Sequence, residues 1–334
     1  MRVLLVSPGF HGYHVAIAAA LTARGHDVTT HVYDDHGGFG GRARHHLRHE
    51  LPHRLGVGSR RGMQREETTR AVDAVASSQP EAVVVVKGDT LGDGFWERLS
   101  GLPRVTWLYD EVRRTRWTHT RLAAVGPVAS YSARDAAHFG AAGLDARHLP
   151  LAYDQHLVPS PSTVRGRDVT FVGARYPWRE RVLRELQDRG VPVRAHGRDW
   201  SGHPVDRLRT WRVSAPRVPA GRDLDRASAY DLMASSAATL NLHGDQDGFT
   251  MRTFEAAGVG AVELVDRTDV RGLYEPSSEV LTWSGVDELV ELCNRAATDR
   301  AWTDGIRAAG RRRTLAEHTF DHRVAVLEAS WDTV

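Results

Sequence analysis

The feature that most constrains this chain is an alternation of short, mainly apolar runs with helix-length amphipathic segments. "RVLLV", "EAVVVVK", "RVTWLYD" and "GPVASYS" offer little polar face, so each needs cover on both sides, as in a parallel sheet flanked by helices. "HVAIAAALTARG" is the helix after the first strand, ended by Gly25, and "DVTTHVYD" is the second strand. "REETTRAVDAVASSQ" reads as a further helix, and "ARHLPLAYD" closes this half. The alternation restarts at "DVTFVG" and continues through "YPWRERVLRELQDRG", "VPVRAHG", "SAYDLMASS", "AATLNLH", "SEVLTW" and "VDELVELCNRAATD". Between the halves, "QHLVPSPSTVRGRD" has the Pro and Ser-Pro signals of a linker. The expected organisation is a Rossmann-like domain over residues 1–155, a linker at 156–166 and a second Rossmann-like domain over 167–315. A closing helix at 316–334, "TFDHRVAVLEASWDTV", is expected to pack back on the first domain.

Composition narrows the class. The 334 residues suffice for two cores, and 41% hydrophobic with 26% charged residues is globular. No apolar run approaches the ~20 residues that span a bilayer, so no integral membrane segment is expected. A net charge of +2 gives no electrostatic case for nucleic acid. The apolar run "RVLLV" is too short for a signal peptide core. With Cys293 the only cysteine, an internal disulfide is ruled out, and a cytoplasmic location is expected. Lys87 is the only lysine, directly after "VVVV".

Open parallel sheets bind ligands beyond the carboxyl ends of their strands, and two such domains facing each other would form an interdomain cleft. The most specific motif lies at such an end: "NLHGDQDGFTMRTFEAAGVGAVELVD", residues 241–266. A helix starting near Met251 would point the amides around Thr250, Met251 and Arg252 at an anion, most often a phosphate. His243, Gly248 and Phe249 lead into it, with Asp247 in the loop and Glu255 one turn inside. A carboxylate beside a phosphate site suits hydroxyl groups, and nucleotide sugars offer both. Arg252 and Glu255 are also spaced i,i+3, so an intrahelical ion pair is the plain alternative. The small residues of "FEAAGVGAV" read as room for a ligand's close approach. In "FVGARYPWRERVL", Gly173 permits backbone approach, while Arg175 and Arg179 flank a proline at a helix start, either as diphosphate contacts or as an exposed charge cluster.

Other chemistries fit less well. The first turn, "SPGFHGYH", lacks G-x-G-x-x-G, and the formal match Gly38–Ala43 follows the second strand without the acidic partner a dinucleotide site needs. His45, His49 and His53 have metal-ligand spacing, but Pro52 interrupts the helix and no closing ligand set accompanies them. Neither a metal nor a cofactor is expected.

The spacing of Asp247 and Glu255 inside "DGFTMRTFEAAGVGAV" resembles the E-x7-E signature "EGFGxxxxEAxAxG" of retaining glycosyltransferases with the GT-B fold. "FVG…P.R" at 171–179, "HGRDW" at 196–200, "LNLHGDQDGFTMRTFEAAG" and "HTFDHRV" resemble more closely the CgeB-like, spore-maturation-type glycosyltransferases. That likeness covers roughly residues 168–328, while "GY", "VVKGD" and "LYDE" in the first half follow the family only in outline. The resemblance implies an α/β, GT-B chain that moves a sugar from a nucleotide-sugar donor to a small-molecule or glycan acceptor, without a metal and with retention. It places Glu255 on the ribose hydroxyls, Asp247 near the transferred sugar, Arg179 and Arg252 on the diphosphate, and the Gly197 backbone at the base. Should the reaction invert instead, Asp110, His11 or His14 at strand ends of the first half are the candidate proton acceptors. The other reading of Asp110 is a cap for "EVRRTRW". A nucleotide-sugar epimerase and a non-catalytic nucleotide-sugar-binding protein are the alternatives from other classes. The Gly/Arg-rich loop at 36–62 favours an acceptor-using enzyme.

Overall fold

The structure, a computed structural model, describes residues 1–35, 60–160, 165–210 and 214–331. The His45, His49 and His53 set, the Gly38–Ala43 match and most of the 36–62 loop lie outside the described residues. The chain divides into two compact units, one of residues 1–151 with 320–334 and one of residues 152–319.

The first unit is built on β1 (Arg2–Ser7), α1 (Tyr13–Ala23), β2 (Asp27–Val32), α2 (Arg60–Ser78) and β3 (Ala82–Val86). It continues with α3 (Asp93–Arg98), β4 (Arg104–Leu108), α4 (His119–Val125), β5 (Val128–Ser130), α5 (Ala133–Ala141) and β6 (Ala146–His148). The strands form one parallel sheet in the order β2-β1-β3-β4-β5-β6, with Val3 opposite Val28 on one side and Ala82 on the other. Every residue of β3 is buried, which is why its sequence is an unbroken apolar run, whereas edge strand β2 is half-exposed and carries Asp, Thr and His. Helices α3, α4 and α5 were not evident from periodicity because each is short. Their signals are local: the Ser132 hydroxyl accepts from the Asp135 amide to start α5, and Thr118 does the same for Arg121 in α4.

In the second unit come β7 (Val169–Val172), α6 (Pro177–Asp188), β8 (Val193–His196), α7 (Pro204–Thr210) and β9 (Ala220–Gly221). After them follow α8 (Arg226–Ser235), β10 (Ala238–Asn241), α9 (Met251–Gly258), β11 (Glu263–Val265), β12 (Leu281–Thr282), α10 (Val286–Thr298) and α11 (Arg300–Glu317). Its sheet is also parallel, in the order β12-β11-β10-β7-β8-β9, around a core that includes Phe171, Leu183, Trp200, Leu240, Leu264 and Ile306. The closing helix α12 (Phe320–Glu328) belongs to the first unit. There Glu328 meets Arg24 at 2.5 Å and His26 at 2.8 Å, and Arg323 Nε donates to the carbonyls of Pro150 and Leu151 at 2.8 and 3.1 Å.

The small residues of α9 have a packing role, contrary to the expectation that they clear space for a ligand. A Cβ on Gly258 would stand 2.5 to 2.7 Å from the ring of Tyr153, and the Ala257 methyl faces Gly310 of α11. Tyr153 is buried and stacks on Tyr230 with centroids 5.4 Å apart, so Gly258 seats an aromatic pair beneath α9. Overpacking of this kind costs about 1–3 kcal/mol. Gly258→Ala is therefore expected to lower stability in urea titration by that amount with the far-UV spectrum kept; an unchanged midpoint would contradict the packing role.

Candidate functional site

The motif folds as a strand end, a tethered loop and a helix start. After β10, Leu242 and His243 are buried, the loop runs from Gly244 to Phe249, and α9 starts at Met251. Gly244 sits at φ +66°, and a Cβ there would come within 2.8 Å of Trp178. Asp266, one residue past β11, gathers the loop's first donors. The His243 amide reaches its two oxygens at 2.9 and 2.8 Å, the Gly244 amide donates at 3.1 Å, and His243 Nδ1 lies at 2.8 Å. Arg267 holds the rest, donating to the Gln246 and Gly248 carbonyls at 2.8 and 3.2 Å with its guanidinium 4.2 Å from the Phe249 ring centroid.

Behind the loop runs a buried chain of side chains whose hydrogen bonds have one polarity. The Asn241 amide nitrogen can only donate, and it donates to Thr253 Oγ1 at 2.7 Å and to Glu263 Oε1 at 2.8 Å. Thr253 therefore sends its own proton to His243 Nε2, 3.2 Å away, and His243 Nδ1–H goes to Asp266. The Thr250 hydroxyl donates to Asn241 Oδ1 at 3.2 Å. This pattern requires a neutral His243, and burial does push its pKa down, outweighing the bond to Asp266. For Asp266, burial acts upward, but the bonds from His243 and Gly244 prevail and keep its carboxyl below the usual range. Glu263 is fully buried, which raises its carboxyl well above the ordinary value, against the Asn241 bond that acts the other way.

The eight-residue α9 has no side-chain cap, and the hydroxyl of its N-cap Thr250 donates to Asn241. Arg252, in the first turn, is ion-paired with Glu255, which is fully buried and accepts from the Tyr230 hydroxyl at 3.3 Å. The i,i+3 pair expected as the plain alternative is thus the arrangement observed. Asp247 is half-buried in the loop, and Gly248 is buried beside it.

The other donor-side residues lie at the carboxyl ends of β7 and β8. Gly173 and Gly197 touch through backbone: a Cβ on Gly197 would meet the Gly173 carbonyl at 2.5 Å, and Trp200 Nε1 donates to that carbonyl at 2.9 Å. Arg175 pairs in a fork with Glu180 at 3.0 and 2.9 Å and donates to the Ser214 and Ala215 carbonyls. Arg179 is buried, bonds the Leu242 carbonyl through Nε at 3.0 Å and sits 4.9 Å from the Tyr176 ring centroid. Both guanidiniums brace this edge of the sheet, and Arg179 fixes the peptide just before His243.

In the first unit, the candidate residues also stand beyond strand ends. His11 occupies a 3-10 turn at φ 47°, ring-to-ring with Phe10 at 4.3 Å, and half-buried His14 lies in the first turn of α1. Asp110 is ion-paired with Lys87 at 2.5 Å, both side chains about a third exposed. Lys87 adopts φ 64°, a left-handed conformation rare for a residue with a side chain. The cap reading of Asp110 fails: the 3-10 turn Val112–Arg114 has Glu111 at its N-cap, and the Val112 amide goes to Asp135 at 2.9 Å. Sequence reasoning missed Glu67 on α2, a buried carboxyl raised to about 7 by burial, with Thr90 beside it. It also missed Glu263, Asp266 and Arg267, although a glutamate inside the apolar run "AVELV" is a visible signal. Among the described residues no group of three His, Cys, Asp or Glu side chains could hold a metal ion, and no helix is long and apolar enough to cross a membrane.

Residues 175–329 match the family described as glycosyl transferase-like. No curated protein matches the sequence. Among solved structures, HepE of Anabaena in complex with UDP-glucose has a TM-score of 0.69 at 13% identity, covering 100% of both chains. Sucrose-phosphate synthase of Thermosynechococcus elongatus reaches 0.64 at 13% identity, over 100% of this chain and 99% of its own. AviGT4, a glycosyltransferase involved in avilamycin A biosynthesis, reaches 0.63 at 16% identity, over 99% and 97%. The fold is GT-B, and residues 175–329 of the second unit and closing helix carry the match to the glycosyl transferase-like family.

Glu263 offers a pH test of the buried chain. Because its folded pKa is raised, the stability tied to it is present below the unfolded value of 4.5 and is lost as pH rises towards the folded value. Glu263→Gln should therefore be more stable than wild type at neutral pH, with the gap closing in acid. Parallel urea titrations across pH check this, and identical pH profiles for the two proteins would show that burial does not raise the Glu263 carboxyl.

Proposed function

We propose that this chain transfers a sugar from a uridine diphosphate sugar to a hydroxyl acceptor, without a metal and with retention at the anomeric carbon. The observation that carries the reading is the start of α9: a helix N-terminus with no side-chain cap, behind a loop fixed by Asp266 and Arg267, with a cation in its first turn. Helix amides and the positive end of the dipole favour a diphosphate there. In this reading Arg252 leaves Glu255 for the diphosphate, and Glu255, released, accepts from the ribose hydroxyls. The bond between the anomeric carbon and the β-phosphate oxygen breaks, the electron pair stays on the diphosphate, and the new glycosidic bond forms to the acceptor oxygen. Preorganised N–H groups and Arg252 stabilise the charge that develops on the leaving group. With retention, the departing phosphate oxygen takes the acceptor proton. Asp247, in the loop ahead of α9, is assigned to the transferred sugar and Gly197 to the base. Uridine is proposed because HepE, a structural neighbour, was solved with UDP-glucose.

The acceptor is assigned to the first unit, at the Lys87–Asp110 pair and the turn carrying His11 and His14. A strained backbone and an ordered ion pair beyond the ends of β3 and β4 support that assignment. Nucleotide release that depends on an added acceptor would separate this activity from epimerisation, which needs none, and from binding alone, which releases nothing.

Two substitutions test the assignments separately. Arg252→Ala should weaken UDP binding about tenfold or more in calorimetry, as expected for a lost charge-assisted contact, while uridine binding stays near wild type. Equal losses for both ligands would make Arg252 structural. Asp110→Asn should depress transfer about tenfold or more while UDP affinity stays unchanged, since it keeps the shape but removes the charge of a contact that holds the acceptor hydroxyl. Wild-type transfer by this variant would remove Asp110 from the acceptor site and leave His11 and His14.

A further inference from the structure

At the opposite edge of the second sheet, four arginines converge on a cavity of about 310 Å³. Gly166 and Arg167 lie just before β7 and Ala237 just before β10, so the cavity faces the amino ends of the strands, while α9 starts beyond the carboxyl end of β10. Arg165 and Arg167 come from the approach to β7, Arg300 and Arg307 from the first turns of α11.

Their charges are poorly matched by the protein. Arg165 is ion-paired with Asp304. Arg167 and Arg300 are exposed and have no ion-pair partner among the described residues. Arg307 is only 6% exposed and makes no ion pair among the described residues: its terminal nitrogens donate to the carbonyls of Ala234, Gly260, Ser236 and Ala237, at 3.1, 2.8, 2.5 and 3.1 Å. Its Nε is buried without an acceptor among the described residues. Burial, and Arg165 beside it, hold this guanidinium down to about 10, outweighing the opposing pull of Asp304, which is itself ion-paired with Arg165. A buried cation with no direct ion pair, beside three more arginines and one shared aspartate, is costly to a fold, and an anionic ligand in the adjoining space relieves that cost.

We propose that this cavity is a second ligand site that binds a multiply charged phosphate group, either inorganic diphosphate or the phosphate of a phosphorylated sugar. Planar guanidiniums suit phosphate oxygens, and the volume, roughly ten waters at about 30 Å³ each, accommodates a diphosphate. Arg307 ties the site to the peptide after α9 through Gly260, so ligand here bears on the same helix that starts the donor site.

The test is calorimetry on the full chain at low ionic strength with inorganic diphosphate as titrant. Wild type should bind. Combined with Arg252→Ala, so that the proposed donor site does not contribute, the double variant Arg167→Ala, Arg300→Ala, which alters only exposed side chains, should bind at least about tenfold more weakly than Arg252→Ala alone. Arg252→Ala, which disables the proposed donor site, should bind diphosphate at this cavity as wild type does, so failure here is distinguishable from failure of the donor assignment. Competition with glucose 1-phosphate separates the sources: stronger binding than diphosphate identifies a sugar phosphate as the occupant, weaker binding identifies the inorganic ion. No binding to wild type, undiminished binding when the double variant is combined with Arg252→Ala, or loss of binding in Arg252→Ala alone would each overturn the proposal.

Discussion

The structure of the second unit turns on the buried hydrogen-bond chain from Thr250 through Asn241, Thr253 and His243 to Asp266. It joins the ends of two neighbouring parallel strands, β10 and β11, to the first turn of α9. Buried polar groups are tolerated only when paired, and here each pairing sets the next one's polarity. The consequence is a helix start whose position is fixed from behind while its own amides are left without a side-chain cap. That is the preorganisation a phosphate site needs, because donors already in place need no rearrangement when charge arrives.

Arginine is used in two distinct ways around this frame. Arg175 and Arg179 face protein: one forks onto Glu180, the other onto the Leu242 carbonyl, and both stiffen the edge from which the loop departs. Arg252 is paired to a fully buried glutamate, the pair that the proposed donor would separate. Arg307 and its neighbours at the far edge lack carboxylates in proportion to their number. The same residue type thus serves as brace, as partner of a buried carboxylate and as lining of a cavity with one shared aspartate, according to what the fold sets opposite it.

Much of this was legible in the sequence. Apolar runs such as "AVVVV" announced buried parallel strands, and the start of α9 at Met251 followed from the glycine-rich loop before it. Less legible was everything decided by which side chain lies opposite which. The spacing of Arg175 and Glu180 does not reveal that they pair while Arg179 turns to a carbonyl 63 residues away. Nor does "FEAAG" reveal that its glycine answers to Tyr153, about a hundred positions earlier, rather than to a ligand. Asp110 was identified by its place at a strand end, but its partner Lys87 became visible only through the register of β3 and β4. The short helices of the first unit were missed because a few residues carry no measurable period; their capping serine and threonine were the better signal.

A crystal structure of the chain with uridine diphosphate tests the central claim most directly. The account predicts the diphosphate on the backbone amides at the start of α9, with Arg252 turned from Glu255 to a phosphate oxygen and the ribose hydroxyls on Glu255. A diphosphate bound away from α9, with the Arg252–Glu255 pair intact, would contradict it.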